Sequence, residues 1–100
     1  MFFAVGQAVQ VMEKIRKHII FHGSVQGVGF RFTAYHAAQK FGVTGWVKNL
    51  YDGTVEAEFE GTEADVDSTL MEIDNGTFIR IESMDVKRIP PEGDSMFIIR

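Results

Sequence analysis

Residues 23–31 read Gly23-Ser24-Val25-Gln26-Gly27-Val28-Gly29-Phe30-Arg31 and lie between a β-branched, aromatic run and a helical repeat. Glycine carries no Cβ, so the backbone can turn sharply there and bring its N–H groups close to a ligand. The start of the helix that follows leaves unpaired N–H donors and a partial positive charge, which favour an anion. Arg31 adds a permanent charge and a planar fork of donors suited to phosphate oxygens. Two readings are open at this point: a small phosphate or carboxylate cradle, or a glycine-rich turn that only joins two elements. A short glycine pattern does not separate them without its context.

The flanking residues give that context. Residues 15–22 (IRKHIIFH) have strand composition, with Ile19 and Phe21 on one face. After the loop, Phe30, Ala34, Ala37, Ala38 and Phe41 recur at helical spacing, and Gly42 supplies a C-terminal stop. Residues 43–49 read as a second strand and Asp52-Gly53 as a tight turn. Along 54–60, Val55, Ala57 and Phe59 are expected to face the core, with Glu56, Glu58 and Glu60 facing water. Thr62 can cap a second helix whose buried stripe is Val66, Leu70 and Ile73, ended by Asn75-Gly76. A strand is expected within 78–89, most clearly from Met84 to Ile89, then a loop at Pro90–Asp94 and a short strand at Met96–Arg100. The order is β-α-β-β-α-β plus one strand. That predicts an α+β, ferredoxin-like split βαβ sandwich, with two helices on one face of an antiparallel sheet.

Composition narrows the chemistry. One hundred residues fit one domain, and 45% hydrophobic content with nine Phe suffices for a packed core. The absence of Cys excludes thiol catalysis, Cys-ligated zinc and disulfides, and suits a reducing compartment, so a cytoplasmic location is expected. No apolar run has the length of a membrane span. Residues 1–50 carry six basic side chains against Glu13, for +5, whereas 51–100 carry thirteen acidic against four basic, for −9. The glycine loop thus sits in the basic half, where the field favours a small anion. The acidic half speaks against a broad nucleic-acid surface.

His18 and His22 share a strand face, but two His without a third ligand make a weak metal site. His36 falls outside the apolar stripe of the first helix and is expected to be exposed. Trp46 is read as a packing residue and Lys48 as a solvated one. Residues 1–12, with the apolar, uncharged run FFAVGQAVQV at 2–11, form an extension ahead of the first strand. This extension is too short to span a bilayer and is read as a disordered tail or a start-site artefact, leaving 13–100 as the domain.

VQGVGFR (25–31), taken together with Gly45-Trp46-Val47-Lys48-Asn49 and Asp52-Gly53-Thr54-Val55, resembles the acylphosphatase family. The resemblance covers about residues 13 to 100, and both motifs stand in the same order on neighbouring elements. It implies hydrolysis of a small-molecule acyl phosphate to a carboxylate and inorganic phosphate, without metal, cofactor or phosphoenzyme. Carried over by motif, the phosphate would be held by Arg31 and by the backbone of Ser24, Val25, Gln26, Gly27, Val28 and Gly29. Asn49 would position the attacking water. A monomer acting without nucleic acid or membrane is expected. Two other classes stand beside this reading. One is a non-catalytic phosphate or acyl-phosphate binder, including a carbamoyl-phosphate-handling domain of a larger maturation protein. The other is a single-strand RNA module, which shares this element order but stacks bases on an open sheet face. Here that face offers Glu56, Glu58 and Glu60.

Overall fold

In the computed structural model, residues 13–100 are described, so the expectation for the 1–12 extension lies outside them. The elements are β1 (Lys14–Ser24), α1 (Phe30–Phe41), β2 (Thr44–Asn49), β3 (Val55–Thr62), α2 (Glu63–Asp74), β4 (Arg80–Ile89) and β5 (Phe97–Ile99). They build one sheet in the order β4-β1-β3-β2-β5. The first four strands pair antiparallel, as the pattern predicts, whereas β5 joins the edge of β2 in parallel.

Alternation decides which face of the sheet is dry. Ile15, Ile19 and Phe21 of β1 and Val55, Ala57 and Phe59 of β3 point to the same buried side. The Phe21 ring sits 4.8 Å from that of Phe30 at the start of α1, and Phe59 stacks on Phe97 at 5.5 Å. Alanines at 34, 37 and 38 keep the buried stripe of α1 narrow, and Gly42 ends the helix in the left-handed region. Thr62 caps α2 by accepting from the Asp65 amide. The stripe of α2 differs by one position from expectation. Val66, Thr69 and Ile73 are buried, and Leu70 is only partly so. Thr69 tolerates burial because its hydroxyl donates to the Asp65 carbonyl at 2.8 Å.

The open face departs from its reading more strongly. Glu60 does not face water; it is 3% exposed. The chain must pass from β4 at one edge to β5 at the other, and its Pro90–Asp94 segment covers one end of this face. Glu60 accepts from the amides of Glu92 and Gly93 and pairs with Arg16, itself fully buried. Arg16 also donates to Glu58 at 2.8 Å and Asp94 at 2.9 Å. Burial opposes the charge on Glu60. The Glu92 amide and the Arg16 guanidinium outweigh it and hold the carboxyl below its usual range. Glu56 is likewise engaged, with His18 at 2.8 Å and Lys48 at 3.6 Å. His22 pairs with Asp85 at 2.8 Å, so neither β1 histidine is free for a shared ligand. Among the described residues, no three His, Asp or Glu gather as a metal-holding group, and no helix is long and apolar enough to cross a membrane.

Close strand approach gives one stability prediction. Gly45 has φ +134, and a Cβ there would lie 1.9 Å from the Glu58 carbonyl oxygen. Gly53 also has positive φ, but a Cβ there would meet nothing within 4 Å. Gly45→Ala is therefore expected to cost about 3 kcal/mol or more, combining strain with backbone displacement, against about 1–2 kcal/mol for Gly53→Ala. Urea denaturation of the two variants checks this; equal losses would contradict it.

Candidate active site

Three elements converge on a cavity of about 210 Å³, lined by Val25, Gly27, Gly29, Phe30, Arg31, Phe32 and Asn49. The loop reaches it by leaving β1 at Ser24 and entering α1 at Phe30. Gly27 and Gly29 take φ +73 and +77, a region that disfavours any side chain. Within 24–29, Val25, Gly27 and Gly29 line the cavity and Ser24, Gln26 and Val28 do not. Ser24 ends β1 opposite Arg80, and Val28 packs on the core. Gln26 turns its side chain away and donates to the carbonyls of Leu50 and, at 2.8 Å, Thr54. Its side chain therefore ties the loop to the turn after β2, a contact that a reading through backbone alone did not contain.

The two helix starts are unlike each other. Glu63 and Asp65 in the first turn of α2, with its Thr62 cap, already serve that N-terminus. The N-cap of α1 is Gly29, with no side-chain cap and no acidic residue in the first turn. Its amide donors and partial positive charge are thus left for a group from outside. Arg31, in that same turn, is partly buried, and its Nη1 donates to the main-chain oxygen of Arg100 at 3.1 Å. Arg100 is itself fixed: its amide donates to the Val47 carbonyl at 2.8 Å, and its guanidinium lies 4.6 Å over the Trp46 ring. No Asp or Glu side chain pairs with Arg31 among the described residues.

Asn49 is the last residue of β2, opposite Val55, and is exposed at the cavity. The turn behind it is stiff. The Leu50 amide donates to the Thr54 carbonyl, the Gly53 amide donates to the Leu50 carbonyl, and Asp52 Oδ1 accepts from the Thr54 amide at 3.0 Å and hydroxyl at 2.6 Å. The Thr54 hydroxyl and amide hold the Asp52 carboxyl below its usual range. The structure thus brings Val25, Gly27, Gly29, Arg31 and Asn49 to one cavity, and leaves Ser24, Gln26 and Val28 outside its lining. Phe32 is a lining residue that sequence reasoning missed. Its signal was available: it is an aromatic outside the Phe30-Ala34-Ala37-Ala38 stripe.

An open basic cavity at an uncapped helix start, on a ferredoxin-like sheet, defines a class of small α+β domains suited to holding an anion. Comparison with known proteins makes the assignment specific. The acylphosphatase family model matches residues 17–99, so the chain belongs to the acylphosphatase family. An acylphosphatase of Thermococcus kodakarensis is 43% identical over 83 residues, covering 82% of this chain and 91% of the relative. The crystal structure of acylphosphatase from Bacillus subtilis matches with a TM-score of 0.81 and 38% identity, over 86% of this chain and 98% of that one. Full-length HypF, in a phosphate- and nucleotide-bound form, matches with a TM-score of 0.77 and 28% identity, over 90% of this chain but 12% of that one.

Proposed function

We propose that this chain hydrolyses acyl phosphates to a carboxylate and inorganic phosphate, with Arg31 and the 24–29 backbone as the phosphate cradle and Asn49 as the residue that orients water. The observation that carries this reading is the single cavity joining the uncapped start of α1, Arg31 and Asn49. The substrate's leaving group is a carboxylate, a weak base, so no strong general acid is needed. What remains is to neutralise charge on the phosphoryl oxygens and place water in line with the leaving oxygen. The guanidinium and loop amides suit the first task; one preorganised donor of this kind is worth roughly 3–4 kcal/mol. The Asn49 carboxamide suits the second, since it can accept and donate hydrogen bonds but cannot act as a base near neutral pH. Water oxygen bonds to phosphorus, the phosphorus–acyl oxygen bond breaks with its pair on the carboxylate, and the water proton passes to a phosphoryl oxygen. The balance closes without metal or phosphoenzyme. The chain acts as a monomer on a small molecule.

The experiment is phosphate release from benzoyl phosphate and acetyl phosphate with a metal chelator present, and inorganic phosphate as inhibitor. Turnover with competitive inhibition by phosphate supports the reading. Phosphate binding without turnover would leave an anion-binding module instead.

Gln26 offers a finer check. Gln26→Leu removes both bonds to the 50–54 turn and is expected to lower kcat about tenfold, because small misplacements of a positioning group cost that much or more. The inhibition constant for inorganic phosphate should stay within about twofold, since the loop amides remain. A matching loss of phosphate affinity would place the Gln26 side chain in the cradle itself.

A further inference from the structure

Phe32 has no structural reason to be aromatic. Its neighbour on the helix start, Phe30, is 2% exposed and packs on Phe21, whereas Phe32 is 67% exposed. No ring partner for Phe32 is found among the described residues. Helical side chains lean toward the helix N-terminus, so a ring at the third position of α1 is directed back over the turn that opens the helix. In agreement, Phe32 lines the same cavity as Gly27, Gly29, Arg31 and Asn49. Of the other lining residues, Gly27, Gly29, Arg31 and Asn49 offer backbone, guanidinium and carboxamide to a phosphate, while Val25 and Phe30 are buried in the core and belong to its packing. The exposed phenyl ring of Phe32 offers a phosphate none of these groups.

An acyl phosphate has a second end. If the phosphoryl group sits against the loop and Arg31, the acyl group must project from it toward the mouth of the cavity, where an exposed ring can cover it. Burying apolar surface on both partners is favourable, and a flat acyl group gains further from aromatic contact. We infer that Phe32 is a specificity-determining residue: its ring is the wall against which the acyl group lies, so the chain favours acyl phosphates with flat or extended apolar acyl groups over acetyl phosphate. This rests on the cradle reading given above. Acetyl phosphate has only a methyl group to cover and draws little from the wall, so the ring discriminates without being needed for turnover.

The test is kcat/KM for benzoyl phosphate and acetyl phosphate in the parent and in Phe32→Ala and Phe32→Leu. Each variant is compared with the parent on the same substrate, so the differing reactivities of the two anhydrides cancel. Alanine is a good helix former and the site is exposed, so the fold tolerates the change. Phe32→Ala is expected to lower kcat/KM for benzoyl phosphate about 5–10-fold, mostly through KM, and to leave acetyl phosphate within about twofold. Phe32→Leu should recover part of the benzoyl loss. Equal losses on both substrates, or no loss on either, would overturn the inference. Arg31→Ala run alongside separates the two levels. If it retains acetyl phosphate turnover, the cradle reading fails. If turnover is lost there while Phe32→Ala leaves the substrate ratio unchanged, only the wall fails.

Discussion

Arg31→Ala is expected to lower kcat/KM for benzoyl phosphate by about 10²–10³, the loss seen when one preorganised charge-stabilising donor is removed. Arg31 lines the cavity in the first turn of α1, and among the described residues the observed partner of its guanidinium is the main-chain oxygen of Arg100. Little of the fold depends on it, so the melting temperature should move by a few degrees at most. Inorganic phosphate should also bind more weakly, because the same charge holds ground state and transition state. Arg31→Lys is expected to recover only part of the loss, since an ammonium lacks the planar fork that can meet two oxygens while keeping the Arg100 contact. Steady-state kinetics with phosphate inhibition and a thermal melt decide the matter. A variant with parental kcat/KM would remove Arg31 from the site.

Asn49→Ala is expected to have the other large effect, a fall in kcat of about 10²–10³, with a contrasting signature. Asn49 ends β2 outside the glycine loop, and its exposed side chain is not part of the core. Phosphate affinity should therefore survive within about twofold, and stability within about 0.5 kcal/mol. Loss of turnover with phosphate binding intact separates a water-orienting role from a cradle role. Parallel loss of both would make Asn49 a phosphate ligand.

The parts of the fold that repeat were legible. Phe30, Ala34, Ala37 and Ala38 mark α1 by period, Val55, Ala57 and Phe59 mark β3 by alternation, and Thr62 marks the start of α2 by its capping chemistry. Alternation tells which residues share a face but not what covers it. Glu60 therefore read as solvated, although a loop thirty residues later closes over it and its partner is the buried Arg16. The parallel attachment of β5 was hidden for the same reason: three residues, Phe97–Ile99, carry no sign of which edge they join. In the site, the loop and Asn49 stood out by motif, yet the contacts that steady them cross long stretches of chain. Gln26 reaches the 50–54 turn and Arg31 reaches Arg100, and neither pairing leaves a periodic trace. Phe32 is the instructive miss, since an aromatic lying off an amphipathic stripe is a signal that needs only the stripe to be drawn.

The central claim is that phosphate is held by the 24–31 loop with Asn49 at its rim. The most direct test is a titration of the isotope-labelled full chain with inorganic phosphate, followed by amide and side-chain resonances. The largest shifts are expected at the amides of residues 25–31 and at the Asn49 carboxamide, and Arg31→Ala should weaken the binding they report. Shifts centred elsewhere, for example around Trp46 and Arg100 on the open sheet face, or none at concentrations that inhibit turnover, would contradict it.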